Sequence, residues 1–233
     1  RYTIFGKNPD KIWEFNNNKS YLFTNNNKKQ LFGQPKKIIE KIIDDFKFKV
    51  PKNLPPISSL ISGFFSYDII RYIEKIPNKT RNDLNIPDSR ILRPKHLVVH
   101  DNFKKKLFFI VNIFSDEKII NLKKKYNEIK NQIEEMVFLS NYKVRNIENK
   151  TIKSSKIISK ILKKKFINNV KKAKNYIKIG DIFQVVLSQR FETKLTKKPL
   201  EIYKKLRKTN PSPFMYFFNF NDFQIIGASP EIL

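Results

Sequence analysis

Two hydrophobic rhythms alternate along this sequence, and a fold of one class cannot accommodate both. Tyr2, Thr3, Ile4 and Phe5 form a short β-prone run, and so do Ile12, Trp13, Glu14 and Phe15; the stretch from Gly6 to Asp10 between them predicts a turn. Residues 35–46 follow a different period. Behind Pro35, a favourable first helical residue, Ile38, Ile39, Ile42, Ile43 and Phe46 recur at three- and four-residue spacing, the mark of an amphipathic helix. The same two periods predict a buried strand over 59–67, a short helix over 68–74 and a hairpin of 96–101 with 107–114 across the turn at 102–106. They further predict helices over 116–139, 159–179 and 200–208, a strand over 181–191, and a strand pair, 214–220 with 223–227, turned at Asn221 and Asp222. Acidic residues open the 116–139 helix, where the helix dipole favours them, and Gly180 is placed to stop the 159–179 helix. Residues 78–95, polar and broken by prolines, predict a surface excursion, and residues 140–155 a linker. The class is α+β.

Composition excludes several functions. No run of about 18 apolar residues crosses a membrane, and the start lacks a basic region followed by an apolar one. There is no cysteine, hence no disulfide framework and no thiolate metal site, and a reducing cytoplasm is the expected compartment. The net charge of +27 would ordinarily point to a polyanion. Here Lys, Asn, Ile and Phe are abundant throughout, while glycine occurs five times and alanine only at Ala173 and Ala228. The enriched residues have A/T-rich codons and the depleted ones G/C-rich codons, so base composition accounts for the lysines at solvated positions. The aromatics sit in apolar runs such as Leu107, Phe108, Phe109 and Ile110, not interleaved with arginine as stacking platforms. Neither nucleic acid nor a membrane is an expected partner. The sequence opens at Arg1 and closes at Leu233 directly after a strand and turn, and both ends are expected to be cuts.

Catalytic patterns are scarce in the sequence. With five glycines, no phosphate loop is present. His96 and His100 share one face of a strand with no further ligand nearby and read as structural. Ser62, Ser66 and Ser188 have no recognisable base.

The last third is more specific. The run from Gly180 through Gln184, Ser188 and Arg190 to Phe191 is followed by Asn210, Pro211, Ser212, Pro213, Phe214 and Met215, then by Gly227, Ala228, Ser229, Pro230 and Glu231. Upstream lie Gly63, Phe64, Phe65, Ser66, Tyr67 and Asp68, then Arg71, Glu74 and Pro77, then Ile86, Pro87 and Asp88, and Leu92, Arg93 and Pro94; the opening Arg1 to Gly6 belongs to the same series. In this order they resemble the chorismate-utilising enzymes, and within them the anthranilate synthase large subunits. The resemblance covers nearly the whole chain, least so over 115–158. It implies two mostly antiparallel β-sheets packed face to face with helices outside. It divides the chain into an N-terminal domain over 1–114, a helix and linker over 115–158, and the start of a chorismate-binding domain over 159–233.

The resemblance also implies roles. Gln184 stands where water-using relatives carry a lysine that serves as general base. An amide cannot take a proton from water, whereas ammonia is already a nucleophile, so Gln184 is the candidate catalytic position and points to the ammonia-using branch. Val186 and Ser212 favour anthranilate synthase over aminodeoxychorismate synthase, whose segments usually read Gln-Val-Asn-Leu and Asn-Pro-Ala-Pro-Tyr. Pro213, Phe214 and Met215 match residues that line a feedback site for L-tryptophan; an aromatic and a thioether held by a proline suit an indole. A tryptophan-binding regulatory fragment without catalysis is a second reading. The implied partners are chorismate, tryptophan and a glutamine amidotransferase subunit. The implied cofactor is Mg²⁺, with its carboxylates expected beyond Leu233, so no metal ligand is expected here and these residues alone are expected to be inactive.

Overall fold

The computed structural model describes residues 1–25, 27–46, 49–79, 82–142 and 155–230. By contact they divide into two units, Arg1–Arg145 and Asn146–Leu233.

In the first unit, β5 (Ser89–Asp101) organises the sheet. β1 (Tyr2–Asn16) lies antiparallel along it from Tyr2 opposite Asp101 to Phe15 opposite Ser89. The other edge of β5 is shared. β4 (Ser62–Phe65) pairs with its first half and β6 (Lys106–Val111) with its second. β2 (Lys19–Thr24) and β3 (Asn27–Leu31) extend from the second half of β1 and complete a six-stranded sheet. Asn17 and Asn18, both at positive φ (49° and 61°), form the two-residue turn between β1 and β2, a conformation asparagine tolerates better than most residues.

Two clusters form the core. Trp13, Phe15 and Ile91 meet Ile42 of α1 (Pro35–Asp45), flanked by Leu22, Ile38 and Ile39. Leu97, Val99 and Ile110 are covered by Ile57 and Leu60. Leu97 and Val99 are wholly buried, and each such side chain contributes about 1.5–3 kcal/mol. α2 (Leu122–Ser140) packs on β6.

Four expectations for this unit change. The 6–10 turn is a bulge in one continuous strand: the register slips between Pro9 and Lys11, with Asp10 the extra residue. Pro9 faces Pro94 there, so the two residues lacking an N–H meet where the ladder is already interrupted. The excursion over 78–95 gives way at Ser89, because the charges that made 89–95 look solvated are paired. Arg90 Nε donates to Glu14 on the facing strand at 3.0 Å, and Arg93 Nε to Asp10 at 2.9 Å. The 59–67 strand shrinks to β4, and Phe65 and Tyr67 beyond its core are exposed; a 3-10 helix, Tyr67–Tyr72, follows at once. The helix expected from 116 begins at Leu122, where the Asn121 side chain accepts the Lys124 N–H at 2.9 Å. Asp116 and Glu117 pair with cations instead of capping it. Most of the expected 140–155 linker (143–154) lies outside the described residues.

In the second unit, α3 (Lys163–Lys178) ends before Gly180, whose φ of +84° few other residues adopt. α4 (Pro199–Thr209) packs on the hairpin of β9 (Phe214–Asn219) and β10 (Gln224–Ser229). β7 (Ile158–Ser159) pairs with β8 (Phe191–Glu192). The strand expected over 181–191 is therefore confined to its last residue. Among the described residues no strand pairs with 182–190, and an extended segment without a ladder has no hydrogen bonds to define it as a strand. Both sheets and helices are present and every pairing among the described residues is antiparallel, as the α+β reading expects.

Candidate functional site

The residues singled out by resemblance fall in the second unit. Gln184 lies in the irregular segment after α3, exposed, and its side-chain amide has no hydrogen-bond partner among the described residues. Its neighbour Phe183 is fully exposed and Val186 is 81% exposed.

Pro213, Phe214 and Met215 sit at the entrance to β9. α4 ends at Thr209, and the Asn210 N–H closes the last turn onto Leu206 at 2.8 Å. Two prolines then fix the chain, and the Ser212 hydroxyl donates to the Phe214 carbonyl at 3.1 Å. Strand alternation sends Phe214 and Met215 to opposite faces. Met215 lies opposite Ala228 and shares its face with Phe217, which meets Tyr203 of α4 at 5.9 Å. Phe214 shares the other face with Tyr216, Phe218 and Phe220, whose rings succeed one another at 5.9 and 5.7 Å. Tyr216 lies over Gly227 so closely that a Cβ there would stand 2.1 Å from the ring. The three residues thus cannot all turn their side chains into one pocket on one face. No hydrogen bond joins this segment to Gln184 among the described residues.

In the first unit, the family motifs build structure. Asp88 Oδ2 accepts the Tyr72 hydroxyl at 2.6 Å and the Asn17 N–H at 2.9 Å, while its carbonyl accepts the Ser66 N–H at 2.8 Å. One residue thereby joins the β1–β2 turn, the 3-10 helix and the end of β4. Burial, together with the bond to Asp88, raises the Tyr72 pKa. Gly63 lies opposite Ile91 with no room for a side chain, since a Cβ would stand 2.1 Å from the Arg90 carbonyl oxygen.

Sequence reasoning missed the largest ionic cluster of this unit. Arg93 pairs with Asp10 and Asp116 and lies 3.9 Å over the Phe114 ring, and Lys11 also pairs with Asp116. Lys95 and Lys125 both reach Glu117, at 2.8 and 3.3 Å. Burial would raise the Asp116 and Glu117 carboxyls, but their cationic hydrogen-bond partners outweigh it and hold both below the usual range. The available signal was charge of both signs inside β-prone runs. Among the described residues no group of three or more His, Cys, Asp or Glu is arranged to hold a metal ion, and no helix is long and apolar enough to cross a membrane. His96 contacts Asn8 and Gln132 at 2.9 and 3.0 Å, a structural use of the ring.

Comparison with known proteins is consistent along the whole chain. The component 1 of anthranilate synthase from Acetivibrio thermocellus is 36% identical over all of this chain and 48% of its own length. That from Cereibacter sphaeroides is 31% identical over the same shares. The crystal structure of anthranilate synthase component I from Streptococcus pneumoniae TIGR4 superposes with a TM-score of 0.82 at 29% identity, covering 99% of this chain and 50% of that one. The chain spans about half the length of the curated relatives it matches. The family described as chorismate binding enzyme matches residues 4–233, and the chain belongs to that family.

Proposed function

We propose that this chain is part of the large subunit of an anthranilate synthase, which converts chorismate and ammonia to anthranilate and pyruvate. The observation that carries the reading is the similarity, over all of the chain, to relatives named for that activity. Gln184 supports the ammonia-using branch, since an amide at this position cannot activate water. Val186 and Ser212 separate the reading from aminodeoxychorismate synthase.

In the complete protein, ammonia attacks the chorismate ring as the hydroxyl leaves, and proton abstraction then expels pyruvate and aromatises the ring. A glutamine amidotransferase subunit delivers the ammonia. Mg²⁺ would offset the substrate's carboxylate charge; the described residues supply no ligand cluster for it. Gln184 is the position in this chain nearest to the chemistry, as a neutral hydrogen-bonding group. Pro213, Phe214 and Met215 are proposed to contribute to a tryptophan site, with Met215 and Phe214 serving different faces of β9. The cytoplasm is the proposed compartment.

The test uses the full-length gene product with chorismate, Mg²⁺ and ammonium, following anthranilate fluorescence. Anthranilate formation that falls on adding tryptophan supports both activity and regulation. Accumulation of an aminated chorismate without anthranilate moves the protein to the other ammonia-using branch. Isochorismate formed without ammonia overturns the role given to Gln184.

A further inference from the structure

α2 is unusual on its inner side. The residues it turns toward the sheet are Lys125, Ile129, Gln132, Ile133 and Met136, a helical stripe in which two of five positions are polar. Polar residues at inward positions need partners. The sheet answers with polar groups as well. Lys95, His96 and Asn112 join Lys125, Ile129 and Gln132 around a cavity of about 110 Å³.

The charges there do not cancel. Asp10 and Asp116 are matched by Arg93 and Lys11. Among the described residues Glu117 alone pairs with both Lys95 and Lys125, at 2.8 and 3.3 Å through the same oxygen, Oε2. Its other oxygen accepts the Phe114 N–H at 3.2 Å. The two ammonium groups therefore lie within about 6 Å of each other with one carboxylate between them, leaving a net positive charge at the cavity. Both lysine side chains are about three-quarters buried, so the charge is only partly screened. Each ammonium retains N–H donors beyond its bond to Glu117. Gln132 accepts from His96 through Oε1 at 3.0 Å, and its amide nitrogen has no partner among the described residues.

We propose that this cavity binds a small oxyanion of the phosphate or sulfate type through Lys95, Lys125 and Gln132. A tetrahedral oxyanion presents acceptors in every direction, which suits donors converging from a helix and a sheet. At about 110 Å³ the space suits a free anion more than a phosphate monoester, whose remainder would have to extend out of the cavity mouth.

The experiment is phosphate binding to the full-length gene product by calorimetry, at fixed ionic strength set with chloride. One saturable site is expected, displaced by sulfate and bound more weakly by glycerol phosphate. Lys125→Gln should weaken phosphate at least tenfold. Lys130→Gln, on the outer face of α2 and 61% exposed, should leave it unchanged. Lys95→Gln supplies the second loss-of-site variant should Lys125→Gln fail to fold. Absence of a saturable site overturns the proposal. So does an equal loss in Lys130→Gln, which would mark general attraction to a basic chain, and so does equal binding of glycerol phosphate.

Discussion

Replacing Asp88 by alanine should destabilise the first unit more than its partly exposed position suggests. The substitution deletes one carboxylate oxygen that accepts two hydrogen bonds, from Tyr72 at 2.6 Å and Asn17 at 2.9 Å. Hydrogen bonds to an ionised group contribute about 1.5–3 kcal/mol each. The Asn17 bond is exposed and falls below that range, at about 0.5–1 kcal/mol, whereas the half-buried Tyr72 hydroxyl would lose its acceptor at the full cost. A loss of about 2–4 kcal/mol follows. At about 2.1 cal/mol/K per residue, a unit of 145 residues has an unfolding entropy near ~0.3 kcal/mol/K. The melting temperature of the first unit should therefore fall by about 7–13 °C in Asp88→Ala. Asp88→Asn keeps an acceptor without the charge and should lose about 1 kcal/mol, or ~3 °C. Circular dichroism melts of these variants, and of Tyr72→Phe alone and combined with Asp88→Ala, give the coupling between the two side chains. A shift of under ~3 °C in Asp88→Ala, or full additivity with Tyr72→Phe, would refute the hub role.

Gly63→Ala should be more damaging than glycine-to-alanine changes elsewhere in the strands, because the new Cβ meets backbone, the Arg90 carbonyl oxygen at 2.1 Å, which cannot rotate away; soluble yield and melting temperature should both drop, by the equivalent of about 3 kcal/mol or more. Acid should unfold the first unit through Asp116 and Glu117. Their folded pKa values lie below the ordinary ones, so the stability they supply is complete above about pH 5 and is lost as pH falls below about 4. Asp116→Asn with Glu117→Gln should lower stability at neutral pH and flatten the acid side of the profile, and an unchanged acid slope would count against the pairing. In the full-length protein, Met215→Ala should weaken tryptophan inhibition about tenfold or more with little change in the KM for chorismate, as expected from loss of an apolar contact; an unchanged inhibition curve would remove Met215 from that site.

Much of the architecture was legible because hydrophobic period survives sequence noise. The helix over 35–46 and the hairpin of Asp101 with Lys106 follow directly from spacing. The places where the reading slipped share a cause. Residues 89–95 read as solvent-exposed because Arg90, Arg93 and Pro94 are polar or strand-breaking in isolation. Their partners Glu14, Asp10 and Pro9 lie some 75–85 positions away, out of reach of any local window. The strand over 181–191 erred the other way. Its β-prone residues are real, but a strand exists only where a neighbour completes its hydrogen bonds, and the described residues pair only Phe191 and Glu192, with one flanking bond from the Lys160 N–H to the Arg190 carbonyl.

The candidate site divides along the same line. Motif order alone was enough to identify the family, because that is a property of the string. Where Gln184 lies, and on which faces Phe214 and Met215 emerge, depends on pleat and pairing. By itself the sequence determined the α+β class, the main helices and the kinship, since each is encoded by local period or by residue identity in order. Tertiary structure alone decided that Asp88 joins three elements, that Gly63 has no room for a methyl, and that two lysines share one glutamate beside a polar cavity. Those are contacts between residues far apart in the chain, and such contacts exist only once the sheet register is fixed.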